Sequence, residues 1–310
     1  MSHTIETSAA ALVRKSLGRP DLNESKICPT LLNELYRSAK PCYEVADTGF
    51  ARRVLTMDGG NPEEGSTPFY GVIVETRKHP GLENVIRSVV NTLDIPIQLF
   101  HGATNKEFIL QSGIASHIDS GAVVLTAMDT AKLDARHYNS LLLSTEFWQA
   151  VRGRKKVLVF QTDSICCSNS PYTLADFADF DYVGSSWKSL RPSGLRIDGG
   201  CGGFSLRDWQ ATIRCLRQYD PVNWPGGEDG YFAFHMELMG ARVASKEEAS
   251  QFSSQCTFKA KSLGAHGVTA MSWHDRSAFL DYCPEAITLF PPICRILINL
   301  RSRKKTKRLL

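Results

Sequence analysis

Residues 156–163, KVLVFQTD, decide how the chain is read. Val157 to Phe160 form an unbroken apolar run, the pattern of a strand buried on both faces, and three residues later comes a carboxylate, Asp163. Sheets of such strands bind ligands beyond their carboxyl ends, so Asp163 lies where a site is expected. A carboxylate there loses water unless a cation pairs with it, and Mn2+ or Mg2+, which take oxygen ligands, would serve. The plainer reading, a charged cap on a strand end, stands beside it.

Working outward, the same rhythm recurs. FYGVIVET (69–76) is a second compact strand, ending in Glu75, Thr76 and then Arg77. In HPGLENVIRSVVNTL (79–93), Leu82, Val85, Ile86, Val89, Val90 and Leu93 recur at helical spacing. IPIQLFHG (95–102) and AVVLTAM (122–128) read as strands, and Tyr138 to Val151 as one helix carrying Leu141, Leu142, Phe147 and Trp148. Alternating strands and helices predict an α/β fold with a mixed, mostly parallel central sheet and helices on both faces. After Asp163 the elements become short and glycine-rich, which suggests a nucleotide-type half followed by a substrate half.

The ends differ from this body. Residues 1–66 read as an N-terminal extension, helical around Leu31, Leu32, Leu35 and Tyr36 or partly disordered, with a Gly/Pro/acid-rich stretch from Asp58 to Pro68. Residues 67–290 form the main domain. Residues 291–310 carry Ile293, Ile296, Leu297 and Leu300 on one helical face, then a basic tail.

Composition excludes several classes. Hydrophobic residues are 43% and charged residues 22% of 310, so the chain is neither disordered nor fibrous. No run of about 18 apolar residues occurs, which excludes a spanning helix, and the opening MSHTIETSAA carries no secretory signal. Net charge is +4, yet six cations fall in the last ten residues (Arg301, Arg303, Lys304, Lys305, Lys307, Arg308), leaving the body slightly acidic. No nucleic-acid partner is expected. The tail is a solvated end or a weak peripheral contact with an anionic membrane. Nine cysteines without a CxxC pair fit a reducing, cytoplasmic compartment, where Asn23-Glu24-Ser25 would mean little as a glycosylation site.

Three further stretches carry chemistry. GGCGGFSLR (199–207) is neither a dinucleotide fingerprint nor a P-loop; it is a tight hairpin or a place where backbone approaches a ligand. In WPGGED (224–229) two carboxylates open a helix bearing Tyr231, Phe232, Phe234, His235 and Leu238. They cap the helix dipole, or one acts as a general base while its neighbour holds substrate hydroxyls and Trp224 stacks on a sugar. GAHG (264–267) offers His266 as a late metal ligand or phosphate contact, whereas His235, Cys166 and Cys201 read as core. GxSxG, HExxH and paired-cysteine zinc patterns do not occur.

In this order the stretches resemble the family of domain of unknown function 5672 (DUF5672), whose members look like GT-A glycosyltransferases. The resemblance runs from Phe69 to Asp275. It rests on YGVIVETRKHPGLENVIRSV, the helix with Tyr138, Asn139, Phe147 and Trp148, VLVFQTDS, DYVGSSW, GGFSLR, Glu228-Asp229 and GAHG. It implies a GT-A-like, Rossmann-related fold and transfer of a sugar from a UDP- or GDP-sugar to an acceptor hydroxyl by metal-assisted direct displacement. Glu75, Thr76, Arg77, Gln161 and Asp163 would bind the donor, and Gly202, Gly203, Phe204 and Trp224 the acceptor. Asp229, with Glu228, would be catalytic. Asp163 and His266 would hold Mn2+ or Mg2+, although Gln161 replaces the first aspartate of the Asp-x-Asp pattern, which bears on metal dependence. The alternatives are a catalytically silent GT-A-like module binding nucleotide or glycan and, fitting less well, a nucleotidyltransferase.

Overall fold

The computed structural model describes residues 8–23, 27–39, 46–55, 67–185, 199–258 and 261–290. Three helices come first: α1 (Ser8–Ser16), α2 (Pro29–Ser38) and α3 (Phe50–Val54). A strand-helix alternation follows: β1 (Phe69–Glu75), α4 (Leu82–Leu93), β2 (Ile97–His101), α5 (Lys106–Leu110), α6 (Ala115–Asp119), β3 (Val123–Ala127), α7 (Ala135–Leu142), α8 (Thr145–Ala150) and β4 (Lys156–Phe160). The remainder comprises β5 (Ser164–Cys166), β6 (Tyr182–Ser185), β7 (Cys201–Asp208), α9 (Trp209–Gln218), α10 (Glu228–Leu238), α11 (Lys246–Phe252), β8 (Ser253–Ser254), β9 (Gly264–His266) and α12 (Trp273–Tyr282).

The central sheet has the order β3-β2-β1-β4-β7-β6. β1, β2, β3 and β4 pair in parallel; β7 runs against both β4 and β6, so five strands share one direction. Side chains of a strand alternate between faces, and the cores follow that alternation. Val72, Val157 and Val159 enter one cluster with Trp148, Phe147 and Phe232; Ile73, Leu158 and Phe160 enter the other with Leu82, Ile86 and Val89 of α4. Both faces are therefore covered, and the expected α/β class with a mixed, mostly parallel sheet is borne out.

Two readings change. The single helix expected over Tyr138–Val151 is two, α7 and α8, because Ser144 is extended and its side chain accepts the Phe147 N–H as a new N-cap. GGCGGFSLR is mostly strand: after Gly199 and Gly200, both at positive φ, β7 extends the main sheet for eight residues, so the second half of the domain shares the first half's sheet. α1, α2 and α3 contribute Val13, Leu35, Tyr36 and Phe50 to the same core as α10. A small second sheet, β5-β9-β8, lies beside β7 and is backed by Phe279 of α12. The C-terminal amphipathic segment and basic tail, most of the 58–68 stretch, and Ser186 and Trp187 of DYVGSSW lie outside the described residues, as do Glu24 and Ser25. Among the described residues no helix is long and apolar enough to cross a membrane.

Candidate functional site

Between β1 and β4 the strand order reverses: the chain leaves β1 for β2 on one side and later places β4 on the other. Crossovers then diverge, and a crevice opens beyond the strand ends. A cleft of about 590 Å³ lies here, lined by the ends of β1 and β4, the start of β7, the start of α10, α7 and His266.

At the end of β1, Glu75 is buried and spends both oxygens on the next charged residue. Its Oε1 accepts from the Arg77 backbone N–H at 2.8 Å and from Nε at 2.9 Å, and Oε2 accepts from Nη2 at 2.8 Å. Arg77 keeps 59% of its side chain exposed. Its pKa is raised, first by the hydrogen bonding of its guanidinium to the Glu75 carboxylate. Buried Asn105 ties this loop from beneath, donating to the carbonyls of Glu75 (2.8 Å) and Arg77 (3.1 Å). Glu75 thus orients Arg77, and Thr76 lines the cleft beside them.

At the end of β4 the chain turns tightly: the Ser164 N–H donates to the Gln161 carbonyl at 3.0 Å. β5 then pairs antiparallel with β9 so that Ser164 faces His266. This register brings a residue a hundred positions later onto the turn. His266 Nε2 lies 3.2 Å from Asp163 Oδ1 and 3.2 Å from Gln161 Oε1, while Nδ1 lies 3.8 Å from Cys201 Sγ. Burial alone would lower the imidazole's pKa, but the bonds to Asp163 and Cys201 outweigh it and raise it to about 10. Burial would raise the Asp163 carboxyl; the hydrogen bond and charge of His266 hold it below its usual range. A side chain at Gly203 would place its Cβ 2.1 Å from His266 Nε2, so only glycine admits the ring.

The facing wall is built on Arg207. This guanidinium is 0% exposed and lies over the rings of Phe232, Tyr182 and Trp148 at 5.1, 5.3 and 5.6 Å. Its Nη1 and Nη2 donate to both oxygens of Glu228 at 2.6 and 3.1 Å, and its Nε donates to Ser205 Oγ at 3.0 Å. Burial would lower the Arg207 pKa, but the Glu228 carboxylate overrides this and raises it. A Cβ at Gly202 would stand 2.2 Å from Glu228 Oε1, so the strand is bare where the pair passes. α10 opens after Gly227, which has no capping side chain; Asn139 Oδ1 accepts the Glu228 N–H at 2.8 Å instead. Asp229 Oδ1 accepts from the Gly230 N–H at 2.7 Å, and its carboxylate forms part of the cleft lining.

Of the sequence candidates, Glu75, Thr76, Arg77, Gln161, Asp163, Gly202, Gly203, Glu228, Asp229 and His266 all line this one cleft. Two do not. Phe204 is 0% exposed and packs on Phe252 at 5.3 Å, because β7 turns it into the α4-side core. Trp224 is 3% exposed among Tyr36, Phe234 and His235, and its Nε1 donates to the Gly227 carbonyl at 2.8 Å. It anchors the loop before α10 and offers no face to a sugar. Glu228 is committed to Arg207 on both oxygens. Cys201, read as core, is only half-buried and lines the cleft, whereas His235 and Cys166 are core as expected. Sequence reading missed Arg207, whose only outward sign is a charge inside a strand, and missed the roles of Tyr138 and Asn139.

Among the described residues no three His, Cys, Asp or Glu side chains form a metal-binding group. Asp163 and His266 nonetheless supply an oxygen and a nitrogen within 3.2 Å of each other, donors whose type fits Mn2+ or Mg2+.

A family model, described as protein of unknown function (DUF5672), matches residues 124–274 and bears out the resemblance seen in the sequence. No curated protein matches the chain. Solved structures that align include the apo form of the glycosyltransferase GlyE of Streptococcus pneumoniae TIGR4, at 13% identity and TM-score 0.43, covering 77% of this chain and 64% of that one. TarS residues 1–349 of S. aureus in complex with UDP-GlcNAc align at 13% identity and TM-score 0.35, over 57% of this chain and 55% of that one. A putative glucose-1-phosphate thymidylyltransferase of Bacillus anthracis aligns at 12% identity and TM-score 0.34, over 56% and 85%. The chain thus spans less than two thirds of either glycosyltransferase chain.

Proposed function

We propose that the protein is a glycosyltransferase that moves a sugar from a nucleotide-sugar donor to an acceptor hydroxyl. The observation that carries this reading is the division of one switch-point cleft. A carboxylate, Asp229, lies on the α10 wall, and Arg77 at the end of β1, Asp163 beyond β4 and His266 of β9 line the same cleft. Direct displacement needs that division: a base for the incoming oxygen and positive charge for the departing diphosphate.

In this reading Asp229 takes the proton of the acceptor hydroxyl as its oxygen attacks the anomeric carbon. The bond from that carbon to the diphosphate breaks, and the leaving group carries away the electron pair. Arg77, held in place by Glu75, pairs with the diphosphate. Asp163 and His266 would hold a divalent cation, which supplies charge neutralisation to the same leaving group. Glu228, occupied by Arg207, fixes the first turn of α10 and so the position of Asp229. The bare backbone of Gly202 and Gly203 leaves room for the sugar between the two walls.

The test is calorimetric titration of the full chain with UDP, GDP and their common sugars, with Mn2+ or with EDTA. Asp163→Ala should weaken nucleotide binding at least tenfold, whereas Asp229→Asn should leave it intact and lower transfer about 10²–10⁴-fold. Absence of binding to every nucleotide under both conditions would falsify the reading. Tight nucleotide binding without transfer to any acceptor, and without a change in Asp229→Asn, would favour a silent binding module.

A further inference from the structure

The sequence treats Gln161 as the loss of a carboxylate from an Asp-x-Asp pattern. Its surroundings say otherwise. The Gln161–Ser164 turn sets Gln161 and Asp163 two residues apart on one bend, and both aim an oxygen at the same atom, His266 Nε2, each at 3.2 Å. One ring nitrogen carries at most one proton. Two oxygens sharing it, both beyond the usual 2.9–3.0 Å, are a poor hydrogen-bond arrangement. They are a good ligand arrangement: donors about 2.1 Å from an octahedral cation stand about 3 Å apart along each edge.

The amide is also held for this task. The Gln161 N–H donates to Ser164 Oγ at 3.2 Å, and that hydroxyl donates to the Gly203 carbonyl at 2.9 Å, which fixes the start of the side chain against β7. Beside the Gln161 side chain lies Tyr138, whose hydroxyl is buried and has no hydrogen bond of ordinary geometry. A carboxylate at 161 would stand beside that buried hydroxyl and beside the Asp163 carboxylate, which meets the same ring nitrogen. A neutral amide adds a donor oxygen without adding charge.

We infer that Gln161 Oε1 is the third protein ligand of a divalent cation bound by Asp163 and His266, making a site with a single negative charge. A lone carboxylate leaves a divalent ion with net positive charge, so the ion binds weakly by itself and tightly beside an anionic co-ligand such as a nucleoside diphosphate. The nature of that co-ligand rests on the function proposed above; the ligand role of Gln161 does not.

The experiment is titration of the full chain with Mn2+, followed by electron paramagnetic resonance of the free ion, with and without saturating UDP. In the wild type UDP should tighten Mn2+ binding at least about tenfold. Gln161→Ala should weaken Mn2+ binding about 10–100-fold, the usual loss for a disturbed metal shell. Gln161→Asp should do the opposite, binding Mn2+ without UDP about tenfold tighter than wild type, a gain that misfolding cannot produce. Equal Mn2+ affinity in all three proteins, or no Mn2+ binding with or without UDP, overturns the inference. UDP binding in EDTA alongside that second result leaves the transferase reading standing. Mn2+ binding that follows residue 161 without any effect of UDP supports the ligand role and removes the diphosphate from the proposed function.

Discussion

On one wall of the cleft Arg207 and Glu228 are joined through two hydrogen bonds and sealed from water by three aromatic rings. On the other, His266 meets Asp163 through one contact, and 54% of the aspartate side chain remains exposed. Both are ion pairs, yet they do different work. The buried pair cannot exchange its partner without leaving a charge in an apolar core, so it is a frame that sets where α10 begins. The second pair can open on its aspartate side, because water stands ready to replace the half-exposed carboxylate. The transfer proposed above, which holds a base still while admitting a charged ligand, calls for one of each.

The largest expected effect follows from the frame. Arg207→Met should cost about 3–5 kcal/mol in urea unfolding, since Glu228 is left buried without its partner. The double variant Arg207→Met with Glu228→Leu should recover much of that loss, because the uncompensated charge is gone. If Arg207→Met costs less than about 1 kcal/mol, the contrast between the walls collapses.

Next comes a contrast between two histidines. His235, on the buried side of α10, is lowered to about 3, chiefly by burial, whereas His266 is raised. A depressed group adds stability above its unfolded value near 6.5 and loses it as pH falls towards the folded value. Between pH 7 and pH 4 the wild type should therefore lose up to about 3 kcal/mol more than His235→Phe, read from urea midpoints at each pH. Equal acid limbs would show that His235 already binds its proton in the fold.

Much of the frame was legible before any coordinates. β1, β2 and β4 announce themselves as contiguous apolar runs, and α4 by its spacing, because both patterns arise from local burial. β7 did not: Gly202, Gly203, Ser205 and Arg207 give no apolar alternation, and glycines that clear space for Glu228 and His266 look like turn residues. Ser144 was readable as a cap within the supposed long helix, and that signal was passed over. Family resemblance assigns Phe204 to the acceptor, and the stacking of an indole on a sugar assigns Trp224, yet large rings beside bare backbone fill the core as readily as a cleft. Arg207 shows only a charge inside a strand, and what justifies it is a carboxylate 21 positions away. Asp163 and His266 were placed together by family resemblance, and the physical cause is the β5–β9 register.

A smaller effect tests how the frame is braced from outside the family-matched segment. Tyr36 of α2 hydrogen-bonds His235 Nε2, while the backbone N–H of Asp47, in the loop before α3, donates to Ser140 Oγ of α7 at 2.8 Å. Tyr36→Phe should cost about 1 kcal/mol, the worth of one such bond, while leaving nucleotide binding unchanged. A loss of binding at unchanged stability would mean that α2 reaches the cleft in a way its packing on α10 does not explain.

The smallest change in stability should come from the half-solvated pair, and its smallness is informative. Asp163→Asn should alter the unfolding free energy by on the order of 1 kcal/mol or less at pH 7, because water already screens the carboxylate. The pH dependence carries a definite sign. His266 is raised, so its contribution is complete below about 6.5 and disappears as pH climbs through about 10; Asp163 is lowered, so its share is present above its ordinary value and disappears in acid. In metal-free protein the alkaline limb should therefore flatten in His266→Asn. Should Asp163→Asn instead cost as much as Arg207→Met, the pair would be a second frame, and a cleft locked on both walls could not admit the cation and diphosphate proposed for it.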